Sequence, residues 1–225
     1  MGNSQEQYAL LTDYDTQTAY SEAIHTLYAN ICFSWKAPEQ HAQAHTLLIT
    51  ACSSSEAGIA ANLAIVAAQS GVPTILVDAD LRSPTLQQRF GLEKKSGLSN
   101  LLLQQTVDET AIETCLQTTF VPGLRLLGAG TAIEQGRMHL FSPVLVNIIE
   151  GLRLLAKGAE NQPGIVIFHS PPVEVGADAS LIAAQVEQTI LTVIAGRTTR
   201  EQAAKAQEQL QQAHATVAGV VMLHL

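Results

Sequence analysis

The chain has 225 residues, 47% of them hydrophobic, and 20 acidic against 12 basic side chains give it a formal charge of −8. That length suits one sizeable domain, and the apolar content excludes disorder for most of it. The negative charge argues against binding nucleic acid, and no apolar run reaches the length of a membrane span. The N-terminus lacks a basic region followed by an apolar stretch, so no secretory signal is expected. Cys32, Cys52 and Cys115 lie far apart without a CxxC pair and read as reduced core thiols.

Residues 1–19 are polar and are expected to form a flexible N-terminal segment, with one α/β domain over 20–225. Ala23, Ile24, Leu27 and Ile31 recur at helical spacing, which predicts an amphipathic helix over 20–35. A linker follows, then a core strand at 46–51 and an alanine-rich helix over 54–70 closed by Gly71, Val72 and Pro73. A buried strand is predicted at 74–78 and short helices at 84–90, 97–104 and 108–117. Next come a strand at 123–128, a helix at 142–157 and a buried strand at 164–168. A helix at 178–185, a strand at 189–195, a helix at 198–213 and a strand at 217–223 complete the chain. Strands alternating with helices imply βαβ units and a mainly parallel sheet flanked by helices.

The most informative stretch is Ile75-Leu76-Val77-Asp78-Ala79-Asp80-Leu81-Arg82. An apolar strand ends in alternating charge, where open α/β sheets hold their ligands. Paired carboxylates there suit Mg²⁺, a hard cation with oxygen ligands. The pattern resembles the second Walker motif of the bacterial tyrosine kinases that govern capsule and exopolysaccharide export. The resemblance continues through Pro84, Thr85 and FGLEKKSGLSNLL, then Asp178-Ala179 and AGRTTREQ near residue 200. It implies a P-loop NTPase-like fold of the partition and septum-ATPase class.

Two of the three nucleotide motifs depart from that family. A phosphate loop reads GxxxxGK[ST] between the first strand and the next helix. Here that place reads TACSSSEAGIAANLA over 50–64, with Glu56 near the lysine position. Ser53-x-x-Glu56 instead fits a capping box, and Glu56 puts negative charge where a helix N-terminus would attract phosphate. Each charge-assisted contact is worth roughly 1.5–3 kcal/mol. Losing the lysine, the metal-holding hydroxyl and several amides removes more than about 5 kcal/mol of binding. The family's third motif, Asp-Ser/Thr-Pro-Pro, reads His169-Ser170-Pro171-Pro172 here.

The resemblance therefore implies a degenerate, pseudokinase-like interaction or regulatory protein of exopolysaccharide or capsule production, with no catalytic residue. The alternative is an active ATP-binding tyrosine kinase or ATPase with a deviant site. Asp78, Asp80, Arg82, His169, Ser170 and Glu56 form the vestigial nucleotide and metal site. ATP and Mg²⁺ are cofactors only under the alternative. Arg82 is expected to pair with Asp78 or Asp80, and His169 to stand beside one of them as an imidazolium; zinc held by Cys52, His169 and the aspartates is a rival reading, and a neutral His169 bonded to backbone is another. The expected partner is a membrane-embedded chain-length regulator or an active kinase, which would hold the chain at the inner face of the cytoplasmic membrane. In the family, Glu-x-x-Arg-x-x-Arg on the first helix is linked to ring assembly. Here the register reads Glu22, His25 and Tyr28, which implies a monomer or dimer instead of an octameric ring.

Overall fold

The structure is a computed structural model that describes residues 10–11, 18–35, 44–53, 57–158 and 162–224. Its centre is a seven-stranded sheet in the order β3-β4-β2-β5-β1-β6-β7. The strands are β1 His45–Ala51, β2 Thr74–Asp78, β3 Leu116–Thr118, β4 Leu124–Leu127, β5 Ile165–His169, β6 Gln188–Ile194 and β7 Val217–Leu223. All neighbours run parallel except the edge pair β3–β4.

The strands β2, β5 and β6 are buried at every position because helices cover both faces, and β2 and β5 read as largely apolar runs. Side chains alternate between two core layers. Leu47, Ile49, Leu76, Ile165 and Ile167 pack on the face of α1 (Ala19–Ser34) and α2 (Ala57–Gln69). Leu48, Ile75, Val77, Val166 and Phe168 pack on the other face. There they meet α4 (Leu98–Leu102), α5 (Glu109–Cys115), α7 (Val144–Leu155), α8 (Asp178–Ala183) and α9 (Arg200–Gln212). Two short helices, α3 (Leu86–Arg89) and α6 (Ile133–Met138), sit in the loops.

Local chemistry sets the ends of these elements. Helix α2 is rich in alanine, the best helix former, and its small side chains let it lie close on the sheet. It stops at Gly71, whose φ of +80° is left-handed. The Val72 N–H donates to the Ala67 carbonyl and the Gly71 N–H to that of Ala68, which satisfies two carbonyls of the last turn. Helix α9 opens on a reciprocal capping box between Thr199 and Gln202.

The structure revises two expectations and adds two short elements. Leu10 and Leu11 are buried in the layer shared by α1 and α2, so the N-terminal segment is anchored at these two residues. The stretch 108–117 is not all helix, because Leu116–Thr118 pairs with β4 as an antiparallel edge strand. Helix α6 and a 3₁₀ turn at Val173–Val175 carry no apolar periodicity long enough to read.

Candidate functional site at the carboxyl ends of the strands

The three motif strands lie side by side, β2 against β5 and β5 against β1. Asp78 is the cross-strand partner of His169. Strand alternation puts both on the α2 face, continuing the rows of Leu76 and Ile167. Asp80 lies just past the strand end. All three side chains are buried, at 0%, 1% and 2% exposure for Asp78, Asp80 and His169.

Backbone amides hold the carboxylates. Asp78 Oδ2 accepts the N–H groups of Thr85 at 3.1 Å and Leu86 at 2.9 Å, tying the strand end to the start of α3. Asp80 Oδ1 accepts those of Arg82 at 3.1 Å and Ser83 at 2.9 Å. This leaves Asp78 Oδ1 buried without a hydrogen-bond partner, and Asp80 Oδ2 facing His169 Nε2 at 4.0 Å.

Burial controls the protonation of this cluster. It pushes the Asp78 carboxyl up to about 7, against the pull of its amide donors and with a further push from the Asp80 charge. It pushes the His169 imidazole down to about 4; Asp80 draws it upward and Arg89 adds to the fall. His169 is thus neutral at pH 7. The expected imidazolium does not form, because desolvation outweighs one carboxylate 4.0 Å away.

Arg82 reaches neither Asp78 nor Asp80 with its guanidinium. It forks onto Asp178 at the start of α8, Nε to Oδ2 at 2.8 Å and Nη2 to Oδ1 at 3.3 Å. That bond raises the Arg82 pKa above its ordinary value. A Cβ at Gly176 would stand 2.6 Å from Arg82 Nη2, so the glycine leaves the guanidinium its path. The sequence matched Asp178 to the family without giving it this role. A residue 96 positions away is found only when the strand ends converge.

Ser170 is fully buried, and its hydroxyl donates to the Pro171 carbonyl at 3.1 Å, which fixes the turn after β5. The Cys52 thiol is pushed up by burial and by the charge of Glu174. Glu56 and its proposed capping bond with Ser53 lie outside the described residues. Among the described residues no three His, Cys, Asp or Glu side chains form a cluster able to hold a metal ion. A pocket of about 400 Å³ opens beside Asp78 and is bordered by Pro84, Gln87, Leu92, Lys94 and Gly130. Gln87 holds its rim, with Nε2 donating to the Glu93 carbonyl at 3.0 Å and to Gln117 Oε1 at 2.9 Å.

The fold and sequence have counterparts among known proteins, although no protein-family model matches the chain. The septum site-determining protein MinD of Pyrococcus horikoshii, solved with Mg-ADP, superposes at a TM-score of 0.58 with 17% identity, covering 79% of this chain and 70% of that one. That likeness establishes a P-loop NTPase-like fold and nothing finer. The chimerical protein CapA2B2 superposes at 0.80 with 25% identity, over 96% of this chain and 89% of that chain. The putative tyrosine-protein kinase EpsB of Ralstonia solanacearum is 32% identical over 163 residues, 72% of this chain, but the chain spans only 20% of its length. Tyrosine-protein kinase YwqD of Bacillus subtilis is 32% identical over 204 residues, which make up 90% of this chain and 80% of that protein. Fold and sequence agree over nearly the full length, and the chain belongs to the bacterial tyrosine-protein kinase family.

Proposed function

We propose that this family member keeps the kinase fold as a binding framework and has lost the nucleotide. It acts as an interaction or regulatory protein in exopolysaccharide or capsule production. The observation that carries this reading is His169. A neutral imidazole, 2% exposed, stands where the family's third motif places a carboxylate. The other residues point the same way. The segment 50–64 holds no lysine, and Asp78 and Asp80 each spend one oxygen on two backbone amides. Phosphoryl transfer uses the phosphate loop, its lysine and the metal-holding carboxylates together. The residues present do not fit ATP with Mg²⁺.

Calorimetric titration with ATP and ADP in Mg²⁺ tests the reading. The expected result is no micromolar binding, and no phosphotyrosine after incubation with ATP. Micromolar binding with autophosphorylation would establish the second reading, an active kinase with a deviant site. That reading draws on the two aspartates kept at the end of β2 and on the unpartnered Asp78 Oδ1.

In the binding role the partner is a membrane-embedded chain-length regulator or an active kinase, and the chain is a monomer or dimer. No helix among the described residues is long and apolar enough to cross a membrane; in this reading the partner holds the chain at the cytoplasmic face. The chain should co-purify with a component of polysaccharide export, and light scattering should show no ring.

A further inference from the structure

Asn62 is an unusual residue to find inside α2. Asparagine is a poor helix former, and here it is 1% exposed among alanines and isoleucines. A buried amide has both donors and acceptors to satisfy. Asn62 meets them outside its own helix. Its Oδ1 accepts the Leu11 N–H at 2.8 Å, and its Nδ2 donates to the Tyr20 hydroxyl at 2.7 Å. One side chain thus ties two segments to α2. The first is the strap Leu10–Leu11, whose side chains are 3% and 6% exposed in the core layer of α1 and α2. The second is the first turn of α1, which Thr18 caps by accepting the Ser21 N–H.

Tyr20 itself is 37% exposed, so solvent reaches a ring whose hydroxyl anchors the strap. Tyr28 differs. Its hydroxyl pairs with Cys32 on the same helix, and burial raises its pKa far above the ordinary tyrosine value. Tyr8 and Tyr14 lie outside the described residues.

We propose that Tyr20 is a phosphorylation site and that its modification opens the latch held by Asn62. A separate protein-tyrosine kinase supplies the catalysis and ATP the phosphoryl group. The Tyr20 oxygen bonds to the γ-phosphorus, the bond from that phosphorus to the ADP oxygen breaks, and the phenolic proton leaves. The phosphate carries about −1.5 to −2 charges at pH 7. It cannot stay hydrated beside an amide that is 1% exposed. The ring turns to solvent, Asn62 Nδ2 loses the Tyr20 acceptor, and the bond from the Leu11 N–H to Asn62 is no longer braced from the first turn of α1. Loss of one such bond from a buried amide shifts the opening equilibrium by about tenfold. The proposal does not depend on whether the chain binds nucleotide.

The test uses the full chain with phosphotyrosine installed at position 20 by genetic-code expansion. Hydrogen exchange at the Leu11 amide reads the latch directly, because that N–H is bonded to Asn62. Exchange should be about tenfold faster in the phosphorylated chain, while the α2 amides stay unchanged. Tyr20→Phe, which removes the acceptor but leaves the ring packed, should fall between the two. In parallel, a purified tyrosine kinase with ATP should label Tyr20 and spare Tyr28. Unchanged or slower Leu11 exchange on phosphorylation would overturn the latch. Labelling of Tyr8 or Tyr14 with Tyr20 left bare would overturn the site.

Discussion

Two histidine–carboxylate pairs stand at opposite ends of the same sheet and differ in spacing and in access to water. At the amino end of the strands, His45 Nδ1 lies 2.8 Å from Glu187 Oε2, with side chains 22% and 34% exposed. At the carboxyl end, His169 Nε2 lies 4.0 Å from Asp80 Oδ2, with side chains 3% and 2% exposed. The first pair has company. Arg153 bonds the other Glu187 oxygen at 2.9 Å, and Trp35 stacks on the His45 ring at 4.3 Å between centroids. The second pair has lost its water, and the cost of charging a buried ring exceeds the attraction of its neighbour. A carboxylate neighbour alone therefore does not charge the His169 ring; the loss of water decides its state.

The buried end gives the largest effect and the sharpest test of that contrast. Unfolded, His169 takes up a proton near its ordinary 6.5, whereas folded it resists until about 4. Its contribution to stability is fully present above pH 6.5 and is lost as pH falls toward 4. Asp78 has the reverse sign. Its carboxyl ionises near 3.8 unfolded and near 7 folded, so its contribution is complete below 3.8 and is lost as pH rises toward 7. The two slopes oppose each other across the shared window. Asp78→Asn removes the aspartate slope and should leave the histidine slope exposed, with this site's contribution to stability rising by roughly 3 kcal/mol from pH 4 to pH 7. His169→Gln should expose the aspartate slope, with a fall of similar size. Urea melts across that range measure both. Parallel pH profiles for the two variants would show that neither group titrates as argued.

The Arg82–Asp178 fork lies between the two extremes, 31% and 10% exposed. It joins the loop after β2 to α8, so truncating either side leaves a partly buried charge behind. Asp178→Ala should destabilise by about 2 kcal/mol. Gly176→Ala should cost less, because the added methyl displaces only the end of a flexible side chain. A double-mutant cycle with Arg82→Ala should recover coupling above about 1 kcal/mol, and additive losses would mean that the fork carries no stability of its own.

Much of this architecture was legible in the sequence. The strands Thr74–Asp78 and Ile165–His169 were plain because burial on both faces leaves an unbroken apolar run. The positions of Asp78, Asp80 and His169 at strand ends followed from the same runs. Their states did not. Whether His169 is charged depends on how completely α2 and the loop after β2 seal the site, and no local pattern records that. The partner of Arg82 was missed because Asp178 arrives from a separate loop, while Asp80 two residues away turned to the backbone instead. Leu10 and Leu11 were read as loose because two leucines in a polar stretch make no period. Leu11 is held by Asn62, 51 residues away along the chain.

The smallest effect is expected at the amino end, where water screens the charges. Glu187 receives His45 on one oxygen and Arg153 on the other, and Arg153 also donates to the Ala44 carbonyl at 3.1 Å and to Glu150 at 3.2 Å. Removing one member of so shared a network leaves the rest partnered. Glu187→Gln combined with His45→Ala should therefore show a coupling of about 0.2–1 kcal/mol, in the range of exposed pairs. That coupling should shrink as salt rises toward 1 M, where the screening length falls to about 3 Å. Trp35 supplies a second readout, since it is the chain's one tryptophan and its ring lies within 1° of parallel to His45. Its emission should change in His45→Ala, which removes the stacked ring, and much less in Glu187→Gln, which leaves the ring in place. A coupling above about 2 kcal/mol that persists in high salt would place this pair in the buried class. The contrast between the two ends of the sheet would then have to rest on something other than water.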